Sequence, residues 1–318
     1  MTSTTLAGRG GPGETARLWL AGARPRTLGV GAVPVLLGAA ASRHPRALPT
    51  AAALVVAVAV QVGANLANDY FDGRRGVDTA ARVGPRRLTA SGLVRPGAVL
   101  AAALACLAVA AVVGVWLVLA SGQLWLLVAG GIALAAALLY TGGPRPYAAT
   151  GVVADLAVFA FFGLMATLGT AAVQGHGVPA GTWWAAAAIG FLAVAVLVAN
   201  NLRDLATDRD AGRHTLVVRL GDGPARTFYA ALIVAGVLTP ALAVLLGQLP
   251  LLALVSLLAG PLLVSPLHIA SDRDREGRAL VPLLPLTTRL HAALGGLLAA
   301  ALLVVAVASG SPLAHSLW

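Results

Sequence analysis

Nine runs of mostly apolar residues, most of them near the roughly 20 residues that a helix needs to cross a bilayer, dominate this sequence and leave little room for another fold. They span Thr27 to Ser42, Leu48 to Asn68, Gly97 to Ala120, Gln123 to Tyr140, Gly151 to Val173, Thr182 to Leu202, Thr227 to Leu246, Pro250 to Ala270 and Thr288 to Ala308. Breaks bearing Gly, Pro or charge separate them. A chain of 318 residues that is 58% hydrophobic and 11% charged cannot hide so much apolar surface in one soluble core, so its solvent is largely lipid. The expected fold class is all-α, a polytopic membrane protein of about nine transmembrane helices. The first run is short and holds Pro34, so a tilt, a kink or a backward extension through Trp19 is expected. Residues 1–17 carry no apolar signal-peptide core and read as a tail on a single transmembrane domain covering 1–318.

The charges orient these helices. The net charge of +10 comes entirely from arginine on the basic side, and 20 of the 22 arginines fall in alternate loops, leaving only Arg43 and Arg46 opposite. The positive-inside rule then places the N-terminus and the arginine-rich loops in the cytoplasm of a bacterial plasma membrane. Arginines at helix ends are topology signals, so the basic balance does not indicate a nucleic-acid partner. The single cysteine, Cys106, sits in an apolar run and excludes both an internal disulfide and a cysteine-based metal cluster. The 12 acidic residues gather on the same face as the arginines, although orientation rules hardly constrain carboxylates.

An internal repeat appears at an offset of 136 residues. Asn65, Leu66, Asp72, Gly76 and Thr79 recur as Asn201, Leu202, Asp208, Gly212 and Thr215, with Asn68 matched by Asp204. The unit spans about four helices in one orientation. In the first copy Asn65, Asn68 and Asp72 stand at i, i+3 and i+7, one face of a continuing helix, with Asp69 beside them. Asn201, Asp204 and Asp208 repeat that spacing, and Asp78 and Asp210 follow downstream. Such carboxylates repel unless a cation lies between them. Oxygen ligands without His or Cys select a hard ion, Mg2+ before Ca2+, and Mg2+ prefers a few carboxylates completed by water and phosphate. The arginines of the same loops, Arg74, Arg75, Arg82, Arg86 and Arg87 after the first cluster and Arg203, Arg209, Arg213 and Arg219 around the second, offer bidentate phosphate contacts. The plainer alternative is that these residues cap helix ends. It weakens for two matched clusters, because ionisable groups at a membrane edge are costly.

Asn68 to Asp78 (NDYFDGRRGVD) and Asn200 to Asp210 (NNLRDLATDRD) resemble the two Asp-rich motifs of UbiA-type intramembrane prenyltransferases. Arg24 to Thr27 (RPRT), Gly84 to Gly92 (GPRRLTASG), Tyr140 to Tyr147 (YTGGPRPY) and Thr215 to Gly221 (TLVVRLG) add a likeness to the branch that prenylates 1,4-dihydroxy-2-naphthoate in menaquinone biosynthesis. Arg213 and His214 depart from the paired Lys and Arg of that pattern. The resemblance implies helices around a central cavity and a Mg2+-dependent transfer from a polyprenyl diphosphate to the naphthoate, with loss of CO2 and diphosphate. It implies that Asn68, Asp69, Asp72, Asp78, Asp204, Asp208 and Asp210 hold metal, with Asn68, Asp72, Asp204 and Asp208 central to catalysis. It also implies substrate contacts from Arg26, Asn65, Arg87, Tyr140, Arg145, Tyr147, Asp155, Asn201 and Arg213. Tyr140 and Tyr147 would orient the acceptor or face a carbocation, against a reading as interfacial anchors. Arg145 would meet the acceptor carboxylate. Two rivals remain: a prenyltransferase for another aromatic acceptor (4-hydroxybenzoate, homogentisate, a chlorophyllide or haem), and a cation transporter, which the one-sided acids disfavour.

Overall fold

The computed structural model describes residues 12–42, 44–76, 87–90, 92, 94–175 and 177–308. Asp78 lies outside them. Helix α1 (Pro12–Ala23) begins inside the stretch read as tail and is followed at once by α2 (Pro25–Ala40). Arg24 joins them at φ 55, the single non-glycine residue with positive φ among those described, and Pro25 opens α2 where a missing N–H costs nothing. Then come α3 (Ala47–Arg75), α4 (Pro96–Ser121) and α5 (Trp125–Leu139). Helices α6 (Val152–Val158) and α7 (Ala166–Val173) are one rod joined by a π-helical stretch, Phe159–Met165.

After α8 (Ala180–Arg203) the chain makes two short helices, α9 (Leu205–Asp210) and α10 (Leu216–Leu220). It then continues through α11 (Asp222–Leu245), a 3-10 stretch at Leu251–Leu263 leading into α12 (Val264–Ser271), and α13 (Leu283–Ala308). Seven of the described helical segments are long and apolar enough to cross a membrane. The other two expected spans are α2, with 16 residues, and α5, with 15, apolar but shorter. At about 1.5 Å per residue each falls short of a hydrocarbon core about 30 Å thick.

Helix α8 is the axis of the bundle, with Ala185, Ala186, Ala188, Ile189 and Leu192 fully buried against α2, α11, α13 and the π stretch. Small residues permit this. A Cβ on Gly163 would stand 2.6 Å from the Gly190 Cα, so the two backbones touch where lipid offers no hydrophobic drive and close packing supplies the attraction. Tyr229 on α11 and Thr287 on α13 share a buried hydrogen bond of 2.6 Å across the same cluster. The only pairing of strands among the described residues is a parallel bridge, Thr150–Gly151 with His214–Thr215. It fastens the loop after α5 to the loop after α9, and so joins the two ends of the site.

Candidate active site

Helix α3 runs seven residues past Asn68, the expected end of its apolar run, and stops at Gly76, whose φ of 67 is the left-handed turn that glycine makes without a Cβ penalty. The first motif therefore lies on one continuous helix face. Asn65, Asn68, Asp69 and Asp72 are all buried. Each is tied to a different neighbour. Asn65 Nδ2 donates to the Ala23 carbonyl (3.1 Å), at the elbow between α1 and α2. Asn68 Oδ1 accepts from Thr141 Oγ1 (2.8 Å), and Arg75 donates to the Thr141 and Gly143 carbonyls, which together hold the α5 to α6 loop on the motif. Asp69 accepts the backbone N–H groups of Leu88 and Thr89, both at 2.8 Å. Its two oxygens thus anchor the loop that presents Arg87, and Arg87 faces Asp72 at 3.8 Å with both side chains 9% exposed.

The second motif is built differently from its sequence match. Helix α8 ends at Arg203, Asp204 turns out of helical geometry (φ −95, ψ 8), and Asp208 belongs to the separate helix α9. The expected continuous i, i+3, i+7 face is broken there. Arg203 clasps Asp204 through both oxygens (2.8 Å and 2.5 Å), while the Asp204 carbonyl accepts Thr207 Oγ1 (2.9 Å) and the Asp208 N–H (2.8 Å), bonds that close the bend. Asp208 faces Arg213 at 3.4 Å. Both motifs consequently pair a buried aspartate with an arginine from the loop that follows it.

Tyr140 caps the C-terminal end of α5. Tyr147 meets it edge to face, centroids 5.2 Å apart and planes at 82°, and is fixed by its hydroxyl on the Ala136 carbonyl (2.9 Å). Burial, then Tyr140, raises the Tyr147 phenol. Both rings line a cavity of about 1140 Å³. Its polar end holds Arg24, Arg26, Asn68, Arg87, Asn200 and Arg203; its apolar arm runs between α3, α4 and α5 past Val60, Ala110, Gly114, Leu126, Gly130 and Leu134.

A model of the UbiA prenyltransferase family matches residues 31–284. The chain belongs to that family. It is 46% identical over 270 residues to the 1,4-dihydroxy-2-naphthoate octaprenyltransferase of Mycobacterium tuberculosis, covering 84% of this chain and 90% of that one. It is 35% identical over 279 residues to the Escherichia coli protein of the same name, covering 85% and 90%. In fold it resembles the structure of a UbiA homolog from Archaeoglobus fulgidus bound to DMAPP and Mg2+, with a TM-score of 0.62, 16% identity, and coverage of 88% of this chain and 99% of that one.

Within this UbiA chain the site residues expected from sequence separate into groups. Arg26, Asn65, Asn68, Asp69, Arg87, Tyr140 and Tyr147 line the cavity, whereas Asp72, Asp204, Asp208 and Arg213 lie outside its lining and are engaged in the ion pairs above. Arg145 and Asp210 are exposed and lie outside the lining. Asp155 is 4% exposed at the start of α6, with neither carboxylate oxygen hydrogen-bonded. Asn201, the residue the repeat matches to Asn65, is buried away from the cavity, and its neighbour Asn200 lines it instead. Arg24, Gln61, Asn200 and Arg203 are cavity residues beyond the expected set. Helical periodicity held the signal for α8. Ala193, Val196, Asn200 and Arg203 fall at steps of three and four on one face, whereas an offset taken from a helix that bends differently selects the adjacent position.

Proposed function

We propose that this protein transfers a polyprenyl group from polyprenyl diphosphate to 1,4-dihydroxy-2-naphthoate, releasing diphosphate and CO2 and forming demethylmenaquinol, the reduced form of demethylmenaquinone. The observation that carries this reading is one cavity lined both by polar groups, among them Arg24, Arg26, Arg87, Arg203, Asn68 and Asp69, and by a long stretch of apolar side chains. The 46% identity to a relative bearing the naphthoate enzyme's name supports the choice of acceptor.

Mg2+ fits the donor set. Asn68, Asp72, Asp204 and Asp208 offer hard oxygens, and among the described residues no three acidic, His or Cys side chains gather into a closed cage. Oxygen-only donors suit Mg2+, which takes one or two carboxylates and completes its shell with water and phosphate oxygens. When bound, it would supply charge neutralisation for the departing diphosphate.

The chain's own residues do the rest. Arg87 and Arg213, each held beside a motif aspartate, are placed to take diphosphate oxygens as the allylic C–O bond breaks. Tyr140 and Tyr147 present rings to the polar end, where π-density favours an allylic cation. The apolar arm dissolves the prenyl chain and keeps water from quenching that cation. The electron-rich naphthoate carbon bearing the carboxylate then forms the new C–C bond, and loss of CO2 returns the ring to aromaticity. Both motifs face the cytoplasm in this reading, α2 and α5 complete nine membrane segments, and the two halves are repeats of one another.

The deciding experiment uses naphthoate labelled in its carboxyl group with the reconstituted protein. One label should leave as CO2 for each prenylated product. Retention of the label, or preferred prenylation of 4-hydroxybenzoate, would discard the naphthoate reading and leave family membership untouched.

A further inference from the structure

Four side-chain amides line the cavity: Gln61, Asn65, Asn68 and Asn200. Three have one end of the amide engaged within the protein, and Gln61 Oε1 is buried without a hydrogen bond. Gln61 Nε2 donates to the Thr27 carbonyl (2.6 Å), Asn65 Nδ2 to Ala23 and Asn68 Oδ1 accepts from Thr141. Asn200 is half-buried, and its side-chain amide makes no hydrogen bond with another described residue. Its exposure faces the cavity it lines. An amide set against apolar walls with neither end engaged is a poor stability device, since leaving such a group without a partner costs on the order of 1–3 kcal/mol.

Depth narrows what Asn200 can serve. It precedes the Arg203 and Asp204 pair by about one helical turn, or roughly 5 Å along α8. The arginines and carboxylates that suit a diphosphate therefore lie above it. Beneath it is an apolar floor in which buried Val30, Ala193 and Val196 pack with Val158, Phe162 and Leu284. A prenyl chain crossing that floor carries neither donor nor acceptor, and a diphosphate only accepts. A phenolic acceptor brings an O–H, and an amide carbonyl is the complement to it.

We propose that Asn200 is the positioning residue for the aromatic acceptor, its Oδ1 accepting a phenolic hydroxyl while the ring rests on the Val196, Phe162 and Leu284 floor. This deepens the function proposed above and rests on it for the kind of acceptor. The contact orients the attacking ring and takes no part in bond making.

Calorimetric binding to the detergent-purified full chain tests it, with 1,4-dihydroxy-2-naphthoate, its two single-deoxy analogues and a prenyl diphosphate as ligands. The wild type should favour the dihydroxy acid over one deoxy analogue by roughly 3- to 10-fold, the range of one neutral hydrogen bond. Asn200→Leu should erase that preference and leave prenyl diphosphate affinity unchanged. Asn200→Ala provides the same comparison if the leucine variant misfolds. A preference that survives in the variant, or equal loss of both substrates' affinity, overturns the assignment. Should the wild type bind 4-hydroxybenzoate and not the naphthoate, the naphthoate reading fails. The ratio between 4-hydroxybenzoate and benzoate then decides Asn200 on the same terms.

Discussion

Arg203 and Asp204, adjacent in the chain, face each other as a two-pronged ion pair with side chains only 5% and 10% exposed. Their clasp ends α8 and sets the angle at which Asp208 leaves it. Breaking such a buried pair strands a charge at a cost of about 3–5 kcal/mol. Arg203→Leu should therefore lower the thermal midpoint clearly and abolish turnover, and Arg203→Leu with Asp204→Leu should recover much of the midpoint and none of the activity. A scanning thermal measurement on the purified variants checks this, and equal midpoints for wild type and Arg203→Leu would dismiss it.

Asp69 predicts a different phenotype from the aspartates around it. Both its oxygens hold backbone N–H groups of the loop that carries Arg87, charge-assisted bonds worth about 1.5–3 kcal/mol each when intact. Asp69→Ala should release that loop and raise the KM for prenyl diphosphate at least tenfold, with the acceptor KM nearly constant. Steady-state kinetics with each substrate varied in turn would show it; an unchanged prenyl diphosphate KM counts against the anchor.

Asp72→Ala and Asp208→Ala should each insert normally and lose more than 99% of activity, roughly 3 kcal/mol or more of transition-state stabilisation. Chelation by EDTA should stop the wild type, and added Mg2+ should restore it. Near-normal rates for either variant at saturating Mg2+ would remove the proposed metal site.

Orientation has its own test. In a Cys106→Ala background, Arg209→Cys and Ala211→Cys should react with an impermeant thiol reagent only from the cytoplasmic side, and Val178→Cys and Gln248→Cys only from outside. Labelling in the reverse sense inverts the topology.

Much of this was legible in one dimension because it depends on local chemistry. Apolar run length requires lipid as solvent, the i, i+3, i+7 spacing puts Asn65, Asn68 and Asp72 on one helix face, and oxygen-only donors beside arginines announce a metal-bound phosphate. What a linear pattern cannot carry is how each side chain is engaged by a residue far away. Asp69 accepts the N–H groups of Leu88 and Thr89 from a distant loop, and Arg145 is exposed outside the cavity lining. The repeat matched Asn201 to Asn65, yet Asn200 lines the cavity and Asn201 is buried away from it. Sequence by itself determined the apolar helices and the residue types that the two motifs present, since these follow from composition and period. Tertiary structure alone decided which oxygens bind the protein and which face the cavity, because a hydrogen bond depends on ångström distances between elements that packing sets.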